Sequence, residues 1–199
     1  MKKITSPLFI IMLIFAACNN NKADKHRTDS DTTNIVQNKD YLVSNDGIGE
    51  LKINMKQTEV EKLLSQQFNF NALKDSAGYW QDTVKAKYRQ IEVSLYFERH
   101  YIDDDNSIMQ LSGIETSSTL CKTASGIGIG DEKSTIISAY DDNRIYMGPE
   151  YEAVNDTTWL PSKTKYSINV QDDKYDKELI FHLTNKKVSS IGVALILGE

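Results

Sequence analysis

The sequence predicts an α+β protein in which two tandem helix-plus-antiparallel-meander repeats, residues 41–118 and 119–199, form one pseudo-symmetric sheet with helices on one face. Three observations predict this fold: a segment that recurs at a constant offset, helical apolar spacing after the turn in each copy, and apolar alternation of period two further along. Because each repeat alone is too small to bury enough apolar surface for a stable core, we expect the two repeats to share one sheet.

The first 17 residues have the pattern of a secretory signal peptide. Lys2 and Lys3 precede an apolar, uncharged run over residues 7–17. The run is shorter than the roughly 20 apolar residues that a permanent transmembrane helix needs, and polar sequence follows it at once. We therefore expect no retained membrane span from this segment.

The sequence Phe15-Ala16-Ala17-Cys18 resembles the bacterial lipobox, in which small residues precede a lipidated cysteine that becomes the mature N-terminus. The resemblance implies that Cys18 carries a palmitate-type anchor of several acyl chains, which bind a membrane durably because burial adds about 0.8 kcal/mol per methylene. By the same resemblance, Asn19 rather than aspartate after the cysteine implies sorting to the outer membrane of the cell envelope, with the body facing either the periplasm or the cell surface.

Residues 18–40 contain almost nothing that could be buried, which predicts a disordered tether between the anchor and a globular body over 41–199. With 40% hydrophobic and 26% charged residues, the chain has an ordinary globular composition. With a net charge of −5, the chain lacks the excess of positive charge that is typical of proteins that bind nucleic acid. Cys121 is the only other cysteine, so no internal disulfide is expected, and we expect it to be a small buried residue rather than a reactive thiol.

The recurring segment occupies residues 51–64 and again 127–140, an offset of 76 residues from Leu51 to Ile127. The alignment places Asn54 on Gly130. Because asparagine and glycine tolerate a positive φ best, the match predicts a sharp strand-to-helix turn in each copy. Apolar spacing of the helical kind follows, which predicts a short amphipathic helix after each turn.

Downstream of each predicted helix the apolar period becomes two, which is typical of half-buried antiparallel strands. The predicted strands cover residues 91–98, 108–116, 166–170, 179–183 and 188–197. Acidic and asparagine-rich turns at 103–106, 172–173 and 185–186 separate them.

Gly126-Ile-Gly-Ile-Gly-Asp131 before a short helix, with a strand ending in Lys187-Val-Ser-Ser-Ile191, is similar to the BamE/SmpA and β-lactamase-inhibitor-protein-like (BLIP-like) superfamily. The resemblance covers most of residues 44–198 in outline. Members are small secreted or lipid-anchored modules, often in tandem, that bind other proteins. The resemblance therefore implies a non-enzymatic, protein-binding envelope lipoprotein that acts as an assembly factor, an inhibitor or an immunity-type neutraliser.

No catalytic motif stands out. The glycine-rich run over 126–130 lacks the spacing of a phosphate-binding loop, and Asp131 and Glu132 would repel a phosphate at the following helix. The three histidines, none at metal-ligand spacing from another, are His26, His100 and His182. We expect no metal, no cofactor and no enzymatic activity; a hydrolase that depends on His100 or His182 is the least favoured alternative.

Aromatic residues give the one positive indication of binding, since exposed aromatic patches often mark interfaces. The chain has ten tyrosines and two tryptophans. Tyrosine also suits strands for purely structural reasons, and that interpretation stays open. A small-molecule or glycan ligand is the alternative to a protein partner. The candidate binding residues are Trp80, Tyr88, Tyr96, Tyr101 and Tyr166.

Overall fold

The computed structural model describes residues 38–70, 81–102, 107–174 and 176–196. The predicted signal peptide over 1–17, the lipidation site Cys18 and the tether as far as residue 37 lie outside these ranges, as does Trp80. Among the residues that are described, no helix combines the length and the apolar character that crossing a membrane requires.

The described residues form two α-helices and eleven strands. The first half contains a 3₁₀ turn at Lys39–Tyr41, β1 (Leu42–Ser44), β2 (Gly47–Ile48), β3 (Leu51–Lys52), α1 (Gln57–Leu64), β4 (Gln81–Tyr88), β5 (Ile91–Tyr101) and β6 (Ser107–Thr116). The second half contains β7 (Lys122–Thr123), α2 (Lys133–Ala139), β8 (Ile145–Asn155), β9 (Thr158–Gln171), β10 (Lys177–Thr184) and β11 (Lys187–Leu195).

A seven-stranded sheet has the order β4-β5-β6-β11-β10-β9-β8, with every neighbouring pair antiparallel. Its two halves meet where β6 pairs with β11, with Ile114 opposite Val193. A smaller sheet has the order β3-β2-β1-β7, and its β1–β7 pair is parallel, with Val43 opposite Thr123. The smaller sheet thus joins the segment before α1 to the segment before α2.

The predicted fold class is wrong. Of the described residues, 57% are in strands and 13% in helices, and two sheets replace the single helix-covered sheet that the α+β prediction required. Each helix is about two turns long and buries one side chain, Val60 in α1 and Ile136 in α2. The smaller sheet escaped prediction because strands of two or three residues are too short to show a period of two.

The two matched turns do have the predicted backbone conformation. Asn54 has a φ of 72° and Gly130 a φ of 92°. The amide of Asn54 donates to the carbonyl of Leu111 at 2.8 Å, and the amide of Gly130 donates to the carbonyl of Val188 at 2.9 Å. Since Leu111 lies on β6 and Val188 on β11, each turn fastens the start of its helix to one of the two central strands.

The core covers one face of the large sheet. Side chains alternate between buried and more exposed along β5 and β10, so that each strand presents an apolar row to the core. The buried rows are Ile91, Val93, Leu95 and Phe97 on β5 and Leu179, Phe181 and Leu183 on β10. Cys121 is fully buried, as expected, and its burial raises the pKa of the thiol to about 11. The opposite side of the large sheet, which carries Tyr96, Glu115, Ile180 and His182, is called the open face below.

Candidate functional site

A groove crosses the middle of the open face, where the two central strands carry small residues. Gly113 on β6 and Gly192 on β11 form its floor, Tyr96 on β5 forms one wall, and Ile180 and His182 on β10 form the other. The groove has a volume of about 290 Å³. A Cβ atom on Gly113 would lie 3.2 Å from Cδ2 of Tyr96, so the glycine is what allows the ring to lie over this strand.

Glu115 organises the polar groups at this groove. Its carboxylate accepts hydrogen bonds from the Tyr96 hydroxyl at 2.9 Å and from the Ser190 hydroxyl at 2.6 Å. Burial, reinforced by the Glu115 charge, raises the pKa of Tyr96 to about 12, so the phenol stays protonated at neutral pH and serves as a donor. Burial also raises the pKa of Glu98, which lines the same groove.

His182 has a carboxylate partner that lies 32 residues away in the sequence. Its Nδ1 is 2.8 Å from Oε1 of Glu150 on β8, and both side chains are about one-third exposed, at 32% and 30%. Ser190 lies opposite His182 in the β10–β11 ladder but donates to Glu115 instead. Within the described residues, the hydroxyl and the imidazole therefore belong to separate hydrogen-bond networks, unlike a nucleophile and its activating base.

Tyr88, one of the predicted binding residues, is a core residue instead. Its side chain is 2% exposed, and its hydroxyl accepts a hydrogen bond of 3.0 Å from the backbone amide of Glu50. Tyr88 points inward because it continues the row of Val84 and Ala86, which alternates with exposed positions along β4. It therefore cannot contribute to an exposed binding surface.

The other predicted aromatic residues lie in different places. Tyr96 lines the groove on the open face, and Tyr101, at the end of β5, is 49% exposed. Tyr166 on β9 lines a separate cavity of about 360 Å³, and its hydroxyl donates to the Lys163 carbonyl at 3.3 Å. Trp80 lies outside the described residues. The structure thus does not bring the described members of the set together on one surface.

The β8–β9 pair extends beyond the rest of the large sheet. Pairing between β9 and β10 ends at Lys165, whereas pairing between β8 and β9 continues to Asn155 and Thr158. Every residue over 151–161 is exposed. Four of these residues are large and apolar, and together we call them the hairpin tip: Tyr151 (63% exposed), Val154 (61%), Trp159 (60%) and Leu160 (54%).

The base of this hairpin has a fixed irregularity. The β8–β9 register passes from the Pro149–Tyr166 pair directly to the Tyr151–Pro161 pair, so β9 contains extra residues there. Buried Ser162 holds the extra residues in place, because its hydroxyl accepts hydrogen bonds from the amides two and three positions later, at 3.3 and 3.0 Å. The tip therefore projects from an ordered base.

Sequence reasoning missed the hairpin tip, although a signal was present. Asn155-Asp156-Thr157 is turn-forming sequence, and it separates two stretches that each carry large apolar residues. Neither β4 nor β8 was among the predicted strands, and β9 begins eight residues before the predicted strand at 166–170.

Comparisons with protein-family models, with curated proteins and with solved structures find no match to this chain. The candidate surfaces therefore rest on the geometry and chemistry of the chain itself. In the described ranges, no three or more His, Cys, Asp or Glu side chains are grouped so that they could hold a metal ion.

Proposed function

We propose that this chain is a membrane-anchored envelope lipoprotein whose body is a non-enzymatic protein-binding module. The observation that carries the proposal is the hairpin tip, in which four large apolar side chains are each more than half exposed. Large exposed apolar residues that are concentrated on one projecting element can mark an interaction site, and tryptophan and tyrosine are enriched among the residues that dominate binding energy.

The hairpin suits this role because it is held in shape before binding. The β8–β9 ladder and the Ser162 hydrogen bonds fix its backbone. Glu152 and Lys165 form an ion pair of 3.0 Å across the two strands. A partner would therefore lose little affinity to ordering of the loop, which is the usual advantage of a preorganised binding element.

Cys18 supplies the membrane anchor in this proposal, and residues 18–40 supply the tether, so that the body binds an envelope protein close to the membrane. Assembly factor, inhibitor and immunity-type neutraliser are the roles that fit such an arrangement. The resemblance to the BamE/SmpA and BLIP-like superfamily belongs to the same proposal. Its support is the short motifs in the sequence, to which the comparisons add nothing.

Site-specific photo-cross-linking in intact cells tests the proposal. A photoreactive residue at position 160, in the hairpin tip, is compared with one at position 120, since Leu120 is a leucine of similar exposure, 51%, in the turn before β7. We expect a discrete protein adduct from position 160 and none from position 120. Adducts that are absent at 160, or identical at both positions, would contradict the proposal.

A second candidate function is binding of a small molecule or glycan, which the groove on the open face favours. Tyr96 offers an aromatic wall, and Glu98 and Glu115 offer acceptors for hydroxyl groups. A thermal-shift screen with envelope glycans tests this candidate, with Tyr96→Ala as the variant that should lose any shift. A shift that persists in this variant would place the ligand elsewhere.

A further inference from the structure

The cavity that contains Tyr166 lies on the core side of the large sheet, between β8, β9, the first residue of α2 and the β10–β11 turn. We propose that this cavity binds a small amphipathic anion, a ligand with a carboxylate or phosphate head and a short apolar tail. Its volume of about 360 Å³ is within the range of small-molecule sites. We call it the lysine cavity. The proposal is independent of the hairpin tip.

Three lysines line the cavity: Lys133 at the start of α2, Lys163 on β9 and Lys186 in the β10–β11 turn. None of the described residues that line it is acidic. Among the described contacts, these three ammonium groups make no hydrogen bond or ion pair, in contrast to Lys165 and Lys177, which pair with carboxylates. Three lysines without a described carboxylate partner thus line one cavity in a chain of net charge −5.

Three carboxylates on the surrounding elements are engaged elsewhere. Glu150 contacts the His182 imidazole at 2.8 Å, and Glu152 contacts Lys165 at 3.0 Å. Asp131 accepts a hydrogen bond of 2.7 Å from the amide of Gly128. Glu132, which directly precedes Lys133, forms no ion pair with a cavity lysine among the described contacts, although its charge offsets part of the positive charge at this end of α2. An anion that entered the cavity would therefore meet lysines that form no ion pair among the described contacts, and this complementarity favours binding of negative charge.

The walls between the lysines are apolar. Ile168 and Leu183 are buried at the base of the cavity, while Met147 at its edge is 51% exposed. The Tyr166 ring is half-buried, and its hydroxyl already donates to the Lys163 carbonyl. An inorganic anion would leave this apolar surface in water. A ligand with an apolar tail would cover it, and this observation distinguishes an amphipathic anion from a simple one.

Backbone hydrogen bonds hold the cavity rim in place. The amide of Lys133 donates to the Lys186 carbonyl at 3.0 Å, which ties α2 to the β10–β11 turn. The amide of Asn185 donates to the Thr164 carbonyl at 2.9 Å, which ties the same turn to β9. Two of the three lysines therefore lie on a rim that is joined by backbone contacts, so the site exists before ligand binding.

The test is site-resolved amine labelling of the full chain, with octanoate and octyl phosphate as probes. Octanol provides the tail without the charge, and inorganic phosphate provides the charge without the tail. At a probe concentration about ten times its Kd, we expect labelling of the three cavity lysines to slow about tenfold. Labelling of Lys62, Lys85 and Lys122, exposed lysines outside this cavity, should not change.

A matched pair of variants completes the test. Replacing all three cavity lysines by glutamine should weaken binding of octanoate about tenfold or more, whereas the same replacement at positions 62, 85 and 122 alters the net charge equally and should leave binding unchanged. Equal protection by octanol or by inorganic phosphate, absence of protection at the cavity lysines, or undiminished binding by the cavity variant would overturn the proposal. These readouts do not involve position 160, so failure here is separate from failure of the proposed protein-binding role.

Discussion

Replacing Ile136 by alanine tests how much the one buried side chain of α2 contributes to holding this helix on the core. Ile136 is 0% exposed and is the one buried residue of this helix, whereas Ile137, next to it, is 39% exposed. Ile136 and Ile137 are consecutive residues of the same type in the same helix. The Ile137→Ala variant is therefore a matched control for every effect except burial.

The expected cost follows from the atoms removed. Isoleucine to alanine deletes three carbons, and at about 0.8 kcal/mol each the loss of transfer free energy is about 2.4 kcal/mol. The cavity left behind brings the total for Ile136→Ala to about 3–4 kcal/mol of unfolding free energy. Since 1 kcal/mol shifts the melting temperature of a domain of this size by about 2–4 °C, we expect a fall of about 6–16 °C.

The Ile137→Ala control should cost below about 1 kcal/mol, because part of that side chain is already in water and alanine is the better helix former. Urea unfolding followed by far-ultraviolet circular dichroism measures both variants against the unmodified chain. Equal destabilisation by the two substitutions, or a larger effect at position 137, would refute the assignment of the buried face of α2.

Three further outcomes are expected. Because burial raises the pKa of Glu98, the folded state holds that proton more tightly than the unfolded state, so stability falls as pH rises from the ordinary glutamate pKa through the raised one. The Glu98→Gln variant should therefore melt at a higher temperature than the unmodified chain at pH 7 and show no gain at low pH, as measured by calorimetry; a lower melting temperature at pH 7 would contradict this reasoning. Cys121, buried and with a thiol pKa of about 11, should resist a thiol reagent at pH 8 in the native protein and react fully in urea, and rapid native reaction would show that the site opens. The Cys18→Ala variant should release the body from the membrane fraction without altering its circular dichroism, whereas continued membrane attachment would exclude lipidation as the anchor.

Features that depend on local backbone preference could be predicted from the sequence. The positive φ at Asn54 and Gly130 is such a feature, because the conformation restricts the residue type at that one position. The inward direction of Tyr88 could also have been predicted, since Val84 and Ala86 precede it at a period of two. The prediction of Tyr88 as a binding residue rested on its being aromatic, and it did not take account of the alternation along residues 84–88.

Features that depend on pairing between distant segments could not be predicted in this way. Glu150 and His182 come together because β8 and β10 both pair with β9, and nothing local to either residue indicates the contact. The smaller sheet depends on the parallel pairing of Val43 with Thr123. The lysine cavity likewise combines side chains from α2, β9 and a turn, each of which is an ordinary exposed lysine in its own stretch of sequence.

The central position of β11 has a consequence for folding. Within each half, the strands of the large sheet are neighbours in sequence and can pair locally, but the halves join only when β6 pairs with β11. Such long-range pairing costs loop-closure entropy before it gains any contact and is a slow step in folding. Until β11 pairs, the edges of β6 and β10 that face it stay open, and this is the interval in which the folding chain is most exposed to aggregation or to capture by a chaperone.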